Sequence, residues 1–262
     1  MRRVGYPFVI GFVAMSASLL TSAKAQDSKD YFAWTGPYAG LTLGVGRADT
    51  ATTMSPNSLW YTSGLASDTR SVNFLTANSP DNLSSRGLTG GGQIGYNWQI
   101  NSFVFGVEAD IARQKLDVSS DRGPLPNPPN SPQTYKEKTS ARWLGTARLR
   151  AGFAFNSILL YATAGLALTY HDQNATLLYT QVNYSTEKAA WTSGGVFGGG
   201  IEYAINANWM AKAEYLHINS GALNATGFKT INATGVQTQD YAITHSSKMT
   251  EQLVRAGLNY KF

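Results

Sequence analysis

Apolar residues alternate with small or polar ones along most of the chain, and the alternation falls into eight stretches. They are YAGLTLGVG (38–46), LTGGGQIGYNW (88–98), FVFGVEADIA (103–112), ARWLGTARLRAGFAF (141–155), ILLYATAGLALTY (158–170), WTSGGVFGGGIEYAI (191–205), WMAKAEYLHI (209–218) and Thr250–Phe262. A period of two marks a strand with one apolar face. Each stretch is near or above the 9–11 residues that a tilted strand needs to cross a bilayer. Three connectors are short: QINS (99–102), Asn156-Ser157 and NAN (206–208). Four are long, at roughly 47–87, 113–140, 171–190 and 219–249. Short turns at one end and long connections at the other predict an all-β fold: an eight-stranded antiparallel up-and-down transmembrane β-barrel with four long outer loops. An even strand count places both chain ends on the short-turn side.

Soluble barrels alternate too, so the outward face decides the class. In the fifth stretch one face is Ile158, Leu160, Ala162, Ala164, Leu166, Leu168 and Tyr170, and the other holds Tyr161, Thr163, Gly165 and Thr169. Aromatics collect at the segment ends. Trp98, Phe103, Phe155, Trp209 and Phe262 lie at the short-turn end, and Trp143, Tyr170, Trp191 and Tyr215 towards the other. Two such girdles bounding an apolar band point to lipid outside. The opposite parity then falls in the lumen and carries the charges. In the fourth stretch that face reads Arg142, Thr146, Arg148 and Arg150. Matching Phe103 with Phe155 at the rim sets Glu108 opposite Arg150 and Asp110 opposite Arg148, and opposite charges across strands favour pairing. Glu202, Lys212, Glu214, Glu251 and Arg255 share the inward parity. A lumen ion-pair network of Glu108, Asp110, Arg148, Arg150, Glu202, Lys212, Glu214 and Arg255 is therefore expected. An eight-stranded barrel is wide enough only for side chains, so a filled lumen is expected.

The N-terminus and the composition adjust this picture. Arg2 and Arg3, an apolar run from Phe8 to Leu20, and Ala23-Lys24-Ala25 have the form of a secretory signal peptide at residues 1–25. A short periplasmic leader, 26–33, and a barrel domain, 34–262, follow. Its removal takes three bases and no acid, so the net charge falls from +5 to +2. With no clustered Lys/Arg, nucleic acid is not an expected partner. Charged residues make up 14% of the chain and cysteine is absent. That charge content is low beside about 25% for a soluble domain, and it fits apolar residues that alternate.

The outer segments carry few chemical signals. The first is rich in Ser, Thr and Asn, the second holds PLPNPPNSP (124–132), and the fourth repeats NATGFKTI and NATGVQTQ from Asn224 and Asn232. That repeat has the spacing of a hairpin reaching beyond the membrane. The histidines, His171, His217 and His245, lie near the long-loop end without metal-site spacing. Gly90-Gly91-Gly92 and Gly198-Gly199-Gly200 lack the following GK[ST] and helix of a phosphate loop. His217 with Ser220 is the nearest approach to an esterase pair. No catalytic, cofactor or metal site is assigned, and no enzyme is expected.

The chain stops on LVRAGLNYKF, with Leu258, Tyr260 and Phe262 alternating to the last residue. This resembles the C-terminal assembly signal of bacterial outer-membrane proteins, which implies the barrel-assembly machinery as a partner. Taken with WTGPYAGLTLGVG (34–46), GGGQIGYNWQI (90–100), FVFGVEADI (103–111), WLGTARLRAGFAF (143–155), ILLYATAGLAL (158–168) and GGGIEYAINANWMAKAEYLHI (198–218), it resembles the small outer-membrane β-barrel family of alphaproteobacteria. That family includes immunogenic surface proteins and some haemin-binding proteins. The signal peptide implies export by the general secretory route, the girdles imply residence in outer-membrane lipid, and a filled lumen without a catalytic constellation leads to the expectation of a structural, surface-interaction role. A small porin and a haemin-binding surface protein are the alternatives, with haemin or a host-surface ligand held at the outer loops.

Overall fold

Three Asn-containing turns close one end of the sheet. Asn101 and Asn156 take positive φ (54° and 52°), a conformation that Asn tolerates better than most residues. They join β2 (Leu83–Ile100) to β3 (Phe103–Leu125), and β4 (Gln133–Phe155) to β5 (Ile158–Leu178). In the third turn the Asn206 side chain accepts the N–H groups of Asn208 and Trp209 at 3.0 and 2.9 Å, between β6 (Val182–Ala204) and β7 (Trp209–Ser220). The computed structural model describes residues 32–57, 83–125, 133–178, 182–231 and 233–262. The signal-peptide segment, most of the leader and most of the Pro-rich stretch lie outside them.

The sheet runs β1-β2-β3-β4-β5-β6-β7-β9, and β1 (Gly36–Pro56) pairs with β9 (Gln237–Lys261) as well as with β2, so it closes on itself. Every pairing is antiparallel. A ninth strand, β8 (Leu223–Ile231), pairs with β6 and β9 on the line that β7 leaves at Ser220. It continues β7 after a break at Gly221 and Ala222, so the ring holds eight strands. The first NATG copy lies in β8. The second enters the turn to β9, where Gly235 has φ +68°.

The long connections differ from the sequence expectation. Of the first, 47–56 and 83–87 are strand and 58–82 lie outside the described residues. Among the described residues the second, third and fourth are for the most part strand: β3, β4 and β6 each run 23 residues, and β9 runs 25. A bilayer crossing needs only about half of that, so the barrel wall continues well above the membrane. Its outer face changes character at the upper girdle. Below it Leu43, Val45, Leu88, Leu149, Leu166 and Val254 are exposed. Above it lie the exposed ion pairs Arg47–Asp49, Arg142–Asp172 and Lys136–Asp121. The girdles themselves make ring contacts: Tyr170 with Trp191 at 5.4 Å above, Phe103 with Phe153 at 5.5 Å and Trp209 with Tyr260 at 5.2 Å below.

Two further details correct the sequence reading. Phe103 pairs with Phe153 rather than Phe155, which puts Glu108 opposite Arg148 and Asp110 opposite Thr146. Arg142 points outward, because β4 carries one extra residue against β5 between Ala141 and Trp143. A bulge of this kind reverses the facing of everything beyond it.

Candidate functional site in the lumen

The inward residues form layers. Next to the short turns, Trp34, Tyr38, Val104, Leu159, Tyr161 and Met210 are buried together. The Trp34 backbone N–H donates to Gln99 Oε1 at 2.8 Å, so the chain entering β1 helps to close this end. Above lie the eight predicted charges, all brought into the lumen and only 0–7% exposed. They number four acids and four bases, so the layer is neutral.

These charges interlock. Arg148, at the centre, meets Glu108, Asp110 (2.8 Å) and Glu214 (3.0 Å). Arg255 meets Glu214 at 2.6 Å and Asp110 at 3.1 Å. Lys212 reaches Glu108 at 2.8 Å and Glu214 at 3.2 Å. Arg150 stands 2.9 Å from Glu202 and 3.3 Å from Glu108. The expected contacts Asp110–Arg148 and Glu108–Arg150 thus exist, as diagonal rather than directly opposed pairs. Burying an ion is costly unless it is paired and hydrogen-bonded, and neutral groups add hydrogen bonds to three of the acids. Tyr38 donates to Glu108 at 2.7 Å, Tyr161 to Glu214 at 2.8 Å, and Thr146 to Asp110 at 2.5 Å. The Arg150 guanidinium lies 4.0 Å from the Tyr161 ring centre, close enough for a cation–π contact. Sequence reasoning placed Tyr161 and Thr146 on the polar face without seeing them as partners. Tyr38 has the parity of Thr42, which was the available signal.

An apolar layer covers the charges: Leu116, Leu144, Leu216 and Leu253, each 0% exposed, with Ala167, Val196 and Ile218. Above it the lining is polar again. Glu251 accepts Gln114 Nε2 at 2.9 Å and stands 3.9 Å from His171 Nε2. Higher still, Glu137 accepts Thr52 and Tyr135 at 2.8 Å each, and Gln173 bonds Ser247 at 2.7 Å. The buried His245 ring stacks on Tyr135 at 6.1 Å. This part of the wall stands outside the membrane, and burial pushes His245 below its usual pKa, opposed by the Glu137 charge.

The structure does not bring the candidate chemical residues together. His171 and His245 point inward, whereas His217 lies on the outer wall against Phe197 at 4.7 Å. Ser220 is buried and bonded to Thr169 at 3.3 Å, so the barrel wall separates it from His217. Among the described residues no group of three His, Cys, Asp or Glu is placed to hold a metal.

A closed ring of strands with lipid-facing girdles and a charged core has a counterpart in sequence. The family model described as "Outer membrane protein beta-barrel domain" matches residues 12–262. The chain belongs to the outer-membrane β-barrel family. It resides in the outer membrane, as do its alphaproteobacterial relatives. It is 31% identical over 260 residues to the 31 kDa outer-membrane immunogenic protein of Brucella melitensis biotype 1, covering 95% of this chain and 93% of that protein. It is 30% identical over 194 residues to the 22 kDa outer membrane protein of Rhizobium leguminosarum bv. viciae, covering 71% and 74%. Among solved structures, the outer membrane protease OmpT of Escherichia coli aligns at 9% identity and TM-score 0.43, covering 89% of this chain and 99% of that one.

Proposed function

We propose that this outer-membrane protein is a closed barrel with a structural and surface-interaction role. It braces the outer membrane and holds an extended wall of strands and turns above it. The observation that carries the reading is the stacking of the neutral ion-pair layer under the leucine layer of Leu116, Leu144, Leu216 and Leu253. Solute entering from outside meets fully buried apolar side chains, then charges paired with one another. The immunogenic label of the Brucella relative is in keeping with display at the surface. The terminal strand serves as the handle for the barrel-assembly machinery, since Phe262 is 71% exposed at the rim.

Single-channel conductance of the refolded protein in a planar bilayer tests this. Silence in the wild type, with openings in an Arg148→Ala, Arg150→Ala double variant, is the expected result. Regular ion-sized steps in the wild type would overturn the closed barrel in favour of a small porin. For a haemin-binding reading, the histidine that the outer wall offers is His217, against Phe197. Haemin difference spectra of wild type and His217→Ala decide it.

A further inference from the structure

The lower charge network holds every buried Lys and Arg among the described residues. Above the leucine layer the balance changes, because Glu137 and Glu251 are buried there with no Lys or Arg beside them. Glu137 is well supplied with donors: Thr52 and Tyr135 at 2.8 Å, and Ser247 and Gln173 at 3.3 and 3.4 Å. Glu251 is not. It is 0% exposed, and its Oε2 accepts Gln114 Nε2 at 2.9 Å. Its Oε1 has no hydrogen-bond partner among the described residues. A buried carboxylate is costly unless a cation compensates it.

The group that faces Glu251 Oε1 is His171 Nε2, 3.9 Å away, too far for a hydrogen bond. That nitrogen also has no hydrogen-bond partner among the described residues. The other side of the ring fixes its state. Thr192 Oγ1 donates its hydrogen to Thr169 O at 3.4 Å, so it can only accept from His171 Nδ1–H, at 3.3 Å. With the proton on Nδ1, Nε2 presents a lone pair. Two acceptors thus face each other across the lumen, from β5 and β9. Gln114 Oε1, on the amide that holds Glu251, is a third buried acceptor without a donor. The wall beside His171 offers an entry path. Residues 186–193 of β6 are in the ladder with β5 but in none with β7 or β8. Ala190, directly opposite His171, lies in this stretch, as does Lys188, which is exposed although it is opposite the buried Gln173.

We propose that His171 Nε2 and Glu251 Oε1 bind a zinc ion in the lumen above the leucine layer. Imidazole and carboxylate are both zinc ligands. Two ligands on tetrahedral zinc stand about 3.4 Å apart, so a small side-chain movement closes the 3.9 Å pair onto the ion. Gln114 Oε1 is the third and weaker ligand, and water completes the shell. The set has two strong ligands, which sets it apart from a cage of three or more His, Cys, Asp or Glu. Thr192 orients the imidazole by accepting its other N–H, the outer support that zinc-binding histidines commonly have. The ion compensates Glu251 and ties β5 to β9, whether or not the lumen conducts.

The test is titration of Zn²⁺, by calorimetry, into the full protein refolded in detergent, stripped with EDTA and desalted. Co²⁺ absorption in the visible range reports the ligands in a parallel titration. One zinc per barrel is expected in wild type, in His217→Ala and in His245→Gln. His171→Gln and Glu251→Gln should lose it, together with the Co²⁺ spectrum. Thr192→Val keeps both ligands and should bind roughly tenfold to hundredfold more weakly. It carries the test if a ligand variant fails the heat-modifiability check for a folded barrel. No one-to-one binding in wild type, or undiminished binding in Thr192→Val or in a folded ligand variant, would overturn the site. Binding that is lost in His217→Ala instead would mark an adventitious ion only, held on the outer wall.

Discussion

Arg148 is the residue whose loss tests the lumen most directly. Its side chain is 0% exposed and touches three carboxylates, Glu108, Asp110 and Glu214. Replacing it with methionine keeps much of the volume but leaves four buried acids facing three bases. Removing one member of a buried ion pair costs about 3–5 kcal/mol, because the other charge stays buried without compensation. Here each orphaned carboxylate retains a second cation. Lys212 stays with Glu108 and Glu214, and Arg255 with Asp110 and Glu214. The cost should therefore sit near the low end, at about 3 kcal/mol. Adding Glu108→Gln restores neutrality, so the double variant should be less destabilised than the sum of the singles by roughly 1–3 kcal/mol. Urea unfolding in phospholipid vesicles, followed by tryptophan fluorescence, measures all three. Arg142→Met is the reference, since its ion pair with Asp172 is on the exposed wall and such pairs contribute about 1 kcal/mol or less. If Arg148→Met costs no more than Arg142→Met, or the two lumen substitutions simply add, the interlocked network is not what holds the lumen together.

Three other outcomes follow from particular contacts. A Cβ at Gly165 would lie 2.1 Å from the Ala147 carbonyl oxygen and 2.7 Å from Arg148 Cα, both backbone atoms that cannot step aside. Gly165→Val should therefore cost at least the 1–3 kcal/mol of an overpacked site, read as a lower unfolding midpoint in urea. His245 is buried neutral above the membrane with its pKa depressed. Its contribution is complete above the unfolded value near 6.5 and is lost as the pH falls from there through the lower folded value. Wild type should lose more stability than His245→Gln between pH 7.5 and pH 5, and parallel losses would rule out this titration. Phe262 makes one ring contact, with Tyr260 at 5.2 Å, and its N–H donates to Pro37 O at 3.1 Å. Phe262→Ala should lower the amount assembled in outer membranes while leaving the stability of refolded protein within about 0.5 kcal/mol. An equal loss in both would make the residue structural.

The membrane band was legible because lipid imposes a rule on it. Every outward residue must be apolar, so period-two alternation is clear from Tyr38 to Gly46 or from Ile158 to Tyr170. Above the girdles that rule lapses. Water meets the outer face, and the inner face is mixed, with Thr52, Glu137, Thr139, Gln173, Thr186 and Ser247 among its buried residues. With a polar outer face and an inner face that mixes apolar and polar residues, hydrophobicity shows no clean period and a Thr- and Asn-rich stretch reads as loop. What holds them is the pairing of neighbours and buried hydrogen bonds such as Thr52 to Glu137 and Gln173 to Ser247, which depend on residues far apart in sequence.

The register error shows why the composition of the site was easier to read than its contacts. Seven residues lie between the end of β3 and the start of β4, so the sequence holds no two-residue turn to set their alignment, and matching the rim phenylalanines placed it two residues away from Phe103–Phe153. A slip of two preserves facing, whereas a slip of one would have sent every charge to the lipid. All eight charged residues therefore stayed in the lumen while their direct partners changed. Long side chains absorbed the rest: Arg148 and Arg150 still reach Asp110 and Glu108 diagonally. At Arg142 the same reasoning fails, because one inserted residue changes parity rather than register. Parity is thus what the bilayer enforces in a barrel of this kind. Register is left to packing inside the lumen, where a neutral set of four acids and four bases can be satisfied by more than one alignment, and the tyrosines at 38 and 161 select among them by donating to Glu108 and Glu214.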